Sequence, residues 1–98
     1  MGKESEFQAA LVKEIEARFP GAYVLKNDPE LRPGFPDLTV LMPNGKWAVL
    51  EAKREKNAAH RPNQDWYVED LNGKSYSPFI YPDNKEAVLD ELQQALRA

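Results

Sequence analysis

Between Asp37 and Lys53 the chain reads DLTVLM-PNG-KWAVLEAK, two strand-length apolar runs separated only by Pro43-Asn44-Gly45. No other stretch restricts the fold so strongly. Runs of this length bounded by turn formers read as strands, and so short a loop makes them pair as an antiparallel hairpin. Alternation then assigns the faces. Trp47, Val49, Glu51 and Lys53 share one side of the second strand, and Ala48, Leu50 and Ala52 share the other.

Loop length decides where Asp37 falls. A two-residue Asn44-Gly45 loop pairs Asp37 with Ala52 and puts it on the face opposite Glu51. A three-residue loop pairs Met42 with Lys46 and Asp37 with Glu51. Three-residue hairpins favour a type I turn closed by a residue in the left-handed region, and Pro43 first with Gly45 last suits that geometry. The longer loop is therefore expected. Directly paired Cβ atoms lie about 4.5–5.5 Å apart, and two unpartnered carboxylates there repel each other. A divalent cation turns that repulsion into coordination. The alternative at this point is that Asp37 is a turn residue after Pro36, with Glu51 and Lys53 decorating an exposed strand edge.

The remaining elements follow from periodicity. Phe7, Leu11, Ile15 and Phe19 form one apolar stripe, predicting a helix over 5–19 that Pro20-Gly21 ends. Ala22 to Lys26 is a strand, and Asn27 to Pro33 a loop of turn formers. Strands over 37–42 and 46–53 make the hairpin. A second helix runs from Asn63 to Leu71, a short strand from Ser77 to Tyr81, and a last helix carries Val88, Leu89, Leu92 and Leu96 on one face. The order α-β-β-β-α-β-α implies an α/β fold, a central mixed sheet flanked by helices. At 98 residues, one domain over 1–98 is expected.

Composition excludes several chemistries. There is no cysteine, hence no disulfide and no thiolate metal site. His60 is the single histidine, which argues against a His-based metallohydrolase. No apolar run approaches membrane-spanning length, and the start at Met1-Gly-Lys-Glu-Ser lacks the apolar region of a secretion signal, so an intracellular (cytoplasmic) location is expected. Net charge is −3, yet residues 22–62 hold seven basic and five acidic side chains against six and eleven elsewhere. The middle is mildly basic, as a phosphate-binding surface needs.

Pro36-Asp37 followed after a hairpin by Glu51-Ala52-Lys53 resembles the motif of the PD-(D/E)XK nuclease superfamily. Gly34-Phe35-Pro36-Asp37 resembles the G-x-P-D of its VRR-NUC branch. Gln64-x-x-Tyr67 is similar to that branch's glutamine motif, and Glu4-x-x-x-Gln8 to its N-terminal Glu motif. The resemblance spans Glu4 to about Leu92 and implies a restriction-endonuclease-like core. It further implies that Asp37 and Glu51 ligate Mg²⁺ or Mn²⁺ with the Ala52 carbonyl. Lys53 would sit beside the scissile phosphate, and Gln64 would support the site or the attacking water. The chemistry agrees: hard oxygen ligands suit such cations, and an ammonium meets the charge that develops on a phosphorane.

Helical angles select the glutamate. At 100° per residue Glu4 falls within the Phe7/Leu11/Ile15 stripe with Gln8 near it, whereas Glu6 points almost opposite. Glu4 is the expected site residue and Glu6 the alternative; a plain N-terminal dipole role for Glu4 stays open. Lys26, Arg32, Arg54, Lys56 and Arg61 are candidate DNA contacts, with a solvated loop as the equal alternative for the last three and His60. Trp66 and Tyr67 read as packing aromatics, and Trp47 as packing on the face of Glu51. The expected function is a Mg²⁺/Mn²⁺-dependent endonuclease on branched DNA such as a Holliday junction, acting as a homodimer. A nicking or restriction-like nuclease and a non-catalytic DNA-binding module are the alternatives.

Overall fold

The computed structural model describes residues 3–97; the polar start at Met1 and Gly2 lies outside them. Helix α1 runs Lys3–Arg18, beginning before the expected span and ending one residue short of it. Strand β1 is Tyr23–Lys26, β2 Leu38–Leu41 and β3 Trp47–Ala52. Helix α2 follows at Gln64–Asn72, then β4 at Phe79–Ile80, a 3₁₀ turn at Pro82–Asn84 and α3 at Lys85–Ala95. The four strands lie in the order β1-β2-β3-β4. The first two pairings are antiparallel and β3–β4 is parallel, so the fold is α/β with a mixed sheet.

The hairpin has the three-residue loop. Leu38 pairs with Leu50 and Leu41 with Trp47. The Met42 N–H donates to the Lys46 carbonyl at 2.9 Å, and the Gly45 N–H to the Met42 carbonyl at 3.0 Å. Gly45 has φ +89°, a left-handed conformation that glycine takes without steric cost. Asn44 Nδ2 donates to the Leu96 carbonyl at 2.8 Å and ties the hairpin tip to the end of α3.

One sheet face carries the core. Leu38, Val40, Ala48, Leu50 and Ala52 pack with Leu11, Ile15 and Phe19 from the α1 side and Val88, Leu89, Leu92 and Leu96 from the α3 side. Each large side chain buried there contributes about 1.5–3 kcal/mol. Helix α2 reaches the opposite face of β3 and buries only Gln64 fully.

Strand β4 is shorter than the expected Ser77–Tyr81. Pro78 has no N–H for a ladder, and Pro82 opens the 3₁₀ turn. The segment still receives β3 through its carbonyls: Val49, Glu51 and Lys53 donate to Tyr76, Pro78 and Ile80 at 3.1, 3.0 and 2.8 Å. Among the described residues, no helix is long and apolar enough to cross a membrane.

Candidate active site

Extending the β2–β3 register by one pair sets Asp37 directly opposite Glu51. Asp37 sits where β2 begins, and two devices hold it. Asn27 donates its backbone N–H to the Asp37 carbonyl at 2.7 Å and its side-chain amide to the Pro36 carbonyl at 2.8 Å. Asn27 Oδ1 in turn accepts from the Thr39 hydroxyl at 3.0 Å. The Asp37 carboxylate then accepts the Ala52 N–H at 3.1 Å. In an uninterrupted ladder Ala52 would face Pro36, which has no N–H to give to the Ala52 carbonyl. Proline therefore leaves that carbonyl without its ladder donor, beside two carboxylates.

Glu51 and Lys53 are ionisable groups taken out of water, 1% and 4% exposed. Gln64, 3% exposed, links them. Its Oε1 accepts from Lys53 Nζ at 2.7 Å and from the Arg61 N–H at 2.8 Å, while Nε2 donates to Glu51 Oε2 at 3.0 Å. Lys53 Nζ donates also to the Ala59 carbonyl at 3.0 Å and lies 3.8 Å from Glu51 Oε2. An ammonium has three donors, so one N–H of Lys53 stays uncommitted. Glu51 Oε1 is buried without a hydrogen-bond partner. Burial pushes the Glu51 carboxyl up to about 9, and the neighbouring Asp37 charge adds to the shift, against a smaller opposing pull from Lys53.

A cleft of about 160 Å³ opens beside this group, lined by Glu4, Gln8, Lys26, Asn27, Asp37 and Arg61 among others. Helix α1 therefore brings Glu4, not the exposed Glu6, to the cleft where Asp37 stands. Gln8 is buried there with its Oε1 unpartnered. A larger hollow of about 260 Å³ at Trp66, Glu69 and Asp70 contains no member of the Asp37–Glu51–Lys53 group.

The basic candidates separate. Lys26 and Arg61 line the cleft; Arg32 lines a neighbouring hollow, and Arg54 and Lys56 are exposed and line neither. Trp47 is half-buried at the far end of β3 from Glu51, four residues along the strand, so it does not pack beside the site. Tyr67 packs edge-on against Phe35 at 5.4 Å, and Trp66 is exposed.

Two positioning features carry no sequence signal of their role, and a third, Gly34, stands in the G-x-P-D motif without showing what it packs against. Asn27 reads as a turn former, and only its three bonds reveal the buttress under Pro36-Asp37. The Ala59 carbonyl has no side-chain signature at all. Gly34, at φ +87°, lies so close to the second helix's entry that an added Cβ would stand 2.6 Å from the Pro62 carbonyl oxygen and 2.8 Å from Asn63 Cβ. That approach seats the Gly34–Asp37 turn against the start of α2, where Asn63 takes φ +72° and Gln64 begins the helix. The His60 ring stacks on Phe79 at 4.4 Å, and its Nδ1 lies 2.7 Å from Asp65 Oδ1. It thus anchors the loop whose neighbours, Ala59 and Arg61, bind Lys53 and Gln64.

This sheet, with helices on both faces and charged groups at the β2–β3 strand ends, has the order of a restriction-endonuclease-like core. No family model and no curated protein sequence matches the chain. Two solved structures do. One, described as "VRR_NUC domain", is 27% identical, with a TM-score of 0.71 over 98% of this chain and 99% of its own. Another, "VRR_NUC domain protein", has the same TM-score at 16% identity, over 99% and 90% of the two chains, a likeness of fold alone. The chain is a VRR-NUC-like domain, with the fold of a nuclease family.

Proposed function

We propose that this domain is a Mg²⁺- or Mn²⁺-dependent endonuclease that hydrolyses DNA phosphodiester bonds. The observation that carries the reading is the pair of unused valences in a buried charged cluster. Glu51 keeps one oxygen without a partner, Lys53 keeps one N–H, and the Asp37 carboxylate faces Glu51. A buried carboxyl opposite a half-buried one is costly to ionise unless a cation joins them. Among the described residues no three Asp, Glu, His or Cys side chains gather into a ready metal cage. Two carboxylates and a carbonyl nevertheless suit Mg²⁺, which takes few protein ligands and keeps several waters. Asp37, Glu51 and the Ala52 carbonyl would hold it, with Glu4 at the cleft wall. When bound, such an ion supplies a Lewis acid for a phosphoryl oxygen and a nucleophile from water.

The protein's own groups do the rest. Lys26 and Arg61 draw the phosphate backbone into the cleft. The free N–H of Lys53 donates to a non-bridging phosphate oxygen and stabilises charge that grows in the transition state. Gln64 sets the orientation of Lys53 and Glu51 together, so neither rotates as substrate enters. The basic groups at the cleft, Lys26 and Arg61, suit phosphates more than base edges, which favours recognition of DNA shape, with branched DNA such as a four-way junction as substrate. Two cuts in a two-fold substrate suit a homodimer. The exposed Tyr23, Leu25 and Leu41 on β1 and β2 supply an apolar surface for a second copy.

Cleavage of junction, flap, nicked and linear duplex DNA with Mg²⁺, Mn²⁺ or chelator tests the reading. Junction cleavage that needs the metal and is lost in Asp37→Asn is expected. A nicking or restriction-like enzyme uses the same residues and would instead prefer nicked or linear substrate in that panel. Activity that survives Lys53→Ala would rule out the site.

A further inference from the structure

We propose that the hollow formed by Asn27, Asp28, Leu31, Arg32 and Phe35 takes up one unstacked nucleobase next to the phosphate held in the cleft. The inference rests on the nuclease reading and adds a base-binding subsite to it. The hollow is about 180 Å³ and shares Asn27 with the cleft. Because the Asn27 backbone is bonded to Asp37, its position relative to the site is set by the sheet. A strand whose phosphate lies at Asp37 therefore has its neighbouring nucleotide over the 27–35 loop.

The lining fits a base better than a phosphate. Leu31 is 84% exposed at the loop tip, an apolar side chain without cover. The loop beneath it is braced by the Glu30 N–H donating to Asp28 Oδ1 at 2.9 Å and the Leu31 N–H donating to the Asp28 carbonyl at 3.3 Å. Phe35 is locked edge-on against Tyr67 and offers a rigid aromatic surface. Asp28 and Arg32 add one acceptor group and one donor group with no net charge. Asp28 repels a phosphate, whereas the polar edge of a neutral, flat ring has partners on both sides. Apolar side chains at such positions wedge between base steps, and aromatic ones stack on any base. Bases inside a duplex are not available to the hollow, so it favours junctions, flaps and single strands.

The test combines abasic scanning with substitution at Leu31. Four-way junctions carrying one abasic residue at each position flanking the branch point are titrated with the full chain in chelator, followed by fluorescence anisotropy. With the unaltered protein, one abasic position near the branch point is expected to weaken binding about tenfold, the scale of one stacked base. Leu31→Ser should weaken binding to the intact junction by a similar factor and to that abasic junction hardly at all, while Leu31→Met retains the wild-type pattern. Equal losses on intact and abasic DNA, or no sensitive position, overturn the proposal. A chain that cuts DNA with independent effects loses only the base subsite. One that binds with the coupled pattern and never cuts keeps the subsite and loses the nuclease reading, and one that binds no DNA loses both.

Discussion

Ala48, Leu50 and Ala52 occupy one face of β3; Val49, Glu51 and Lys53 occupy the other, one residue out of step. Both sets are buried. The first is covered by α1 and α3 with apolar groups. The second meets polar groups from α2 and its entry loop, the Gln64 amide and the Ala59 carbonyl, and leaves a Glu51 oxygen without a partner. The first face holds the fold together, whereas the second keeps ionisable groups buried at a cost to stability, as the proposed binding site would. Strained, under-satisfied groups of this kind are expected at functional sites.

The contrast is broken most sharply by Asp37→Asn. It should reduce metal-dependent DNA cleavage by at least about a thousandfold, since a metal site is worth several kcal/mol to the transition state. Melting temperature should hardly fall, and both are read on the same preparation by gel assay and thermal denaturation. Leu50→Ala on the other face reverses the pattern, with a stability loss of about 2–5 kcal/mol in urea titration from a cavity among close-packed neighbours. A Leu50→Ala protein as stable as wild type would mean the core face is misassigned.

Gln64→Leu comes next. Removing the amide that joins Glu51 to Lys53 should lower kcat by roughly 10–100-fold, the scale for groups that orient metal ligands. KM for DNA should change little, because Gln64 is buried behind the site. A change confined to KM would identify it instead as a substrate contact.

The smallest effects concern stability without metal. The folded Glu51 carboxyl, raised to about 9, keeps its proton where the unfolded chain releases it near 4.5. The contribution of that bound proton to stability is therefore fully present below pH 4.5 and is lost as pH rises from there to about 9. Denaturant titrations at pH 5 and pH 8.5 in chelator should show this slope. Glu51→Gln should flatten it and raise stability at pH 8 by about 0.5–2 kcal/mol, as replacing a strained functional group often does. Leu50→Ala should keep the slope. If Glu51→Gln destabilises at pH 8 in chelator, the carboxylate is not the burden its surroundings imply.

Much of this site could be read before the structure. Asp37, Glu51 and Lys53 follow from alternation and from one turn: Pro43-Asn44-Gly45 sets the register, and a register propagates residue by residue to the strand end. Glu4 over Glu6 follows from helical angle alone. Less of it was legible where position depends on other elements. Lys26, Arg61, Arg54 and Lys56 look alike in a charge tally, yet only the first two reach the cleft. Trp47 shares a face with Glu51 by parity but lies at the other end of the strand, since parity fixes a side and not a distance. Strand β4 shrank because two prolines removed donors that an apolar run seemed to promise.

The chain by itself determined the element order, the hairpin register and which side of β3 each residue takes, because these depend on neighbours a few residues away. Tertiary structure alone decided that Gln64 should span Glu51 and Lys53, that Ala59 should cap the ammonium and that Asn27 should brace Asp37. Those bonds join positions 6 to 13 residues apart, and those of Gln64 need the start of α2 to close onto the sheet, where Gly34 leaves room for it. Local preference carries no record of such an approach; it is set by which surfaces fit once the core has collapsed.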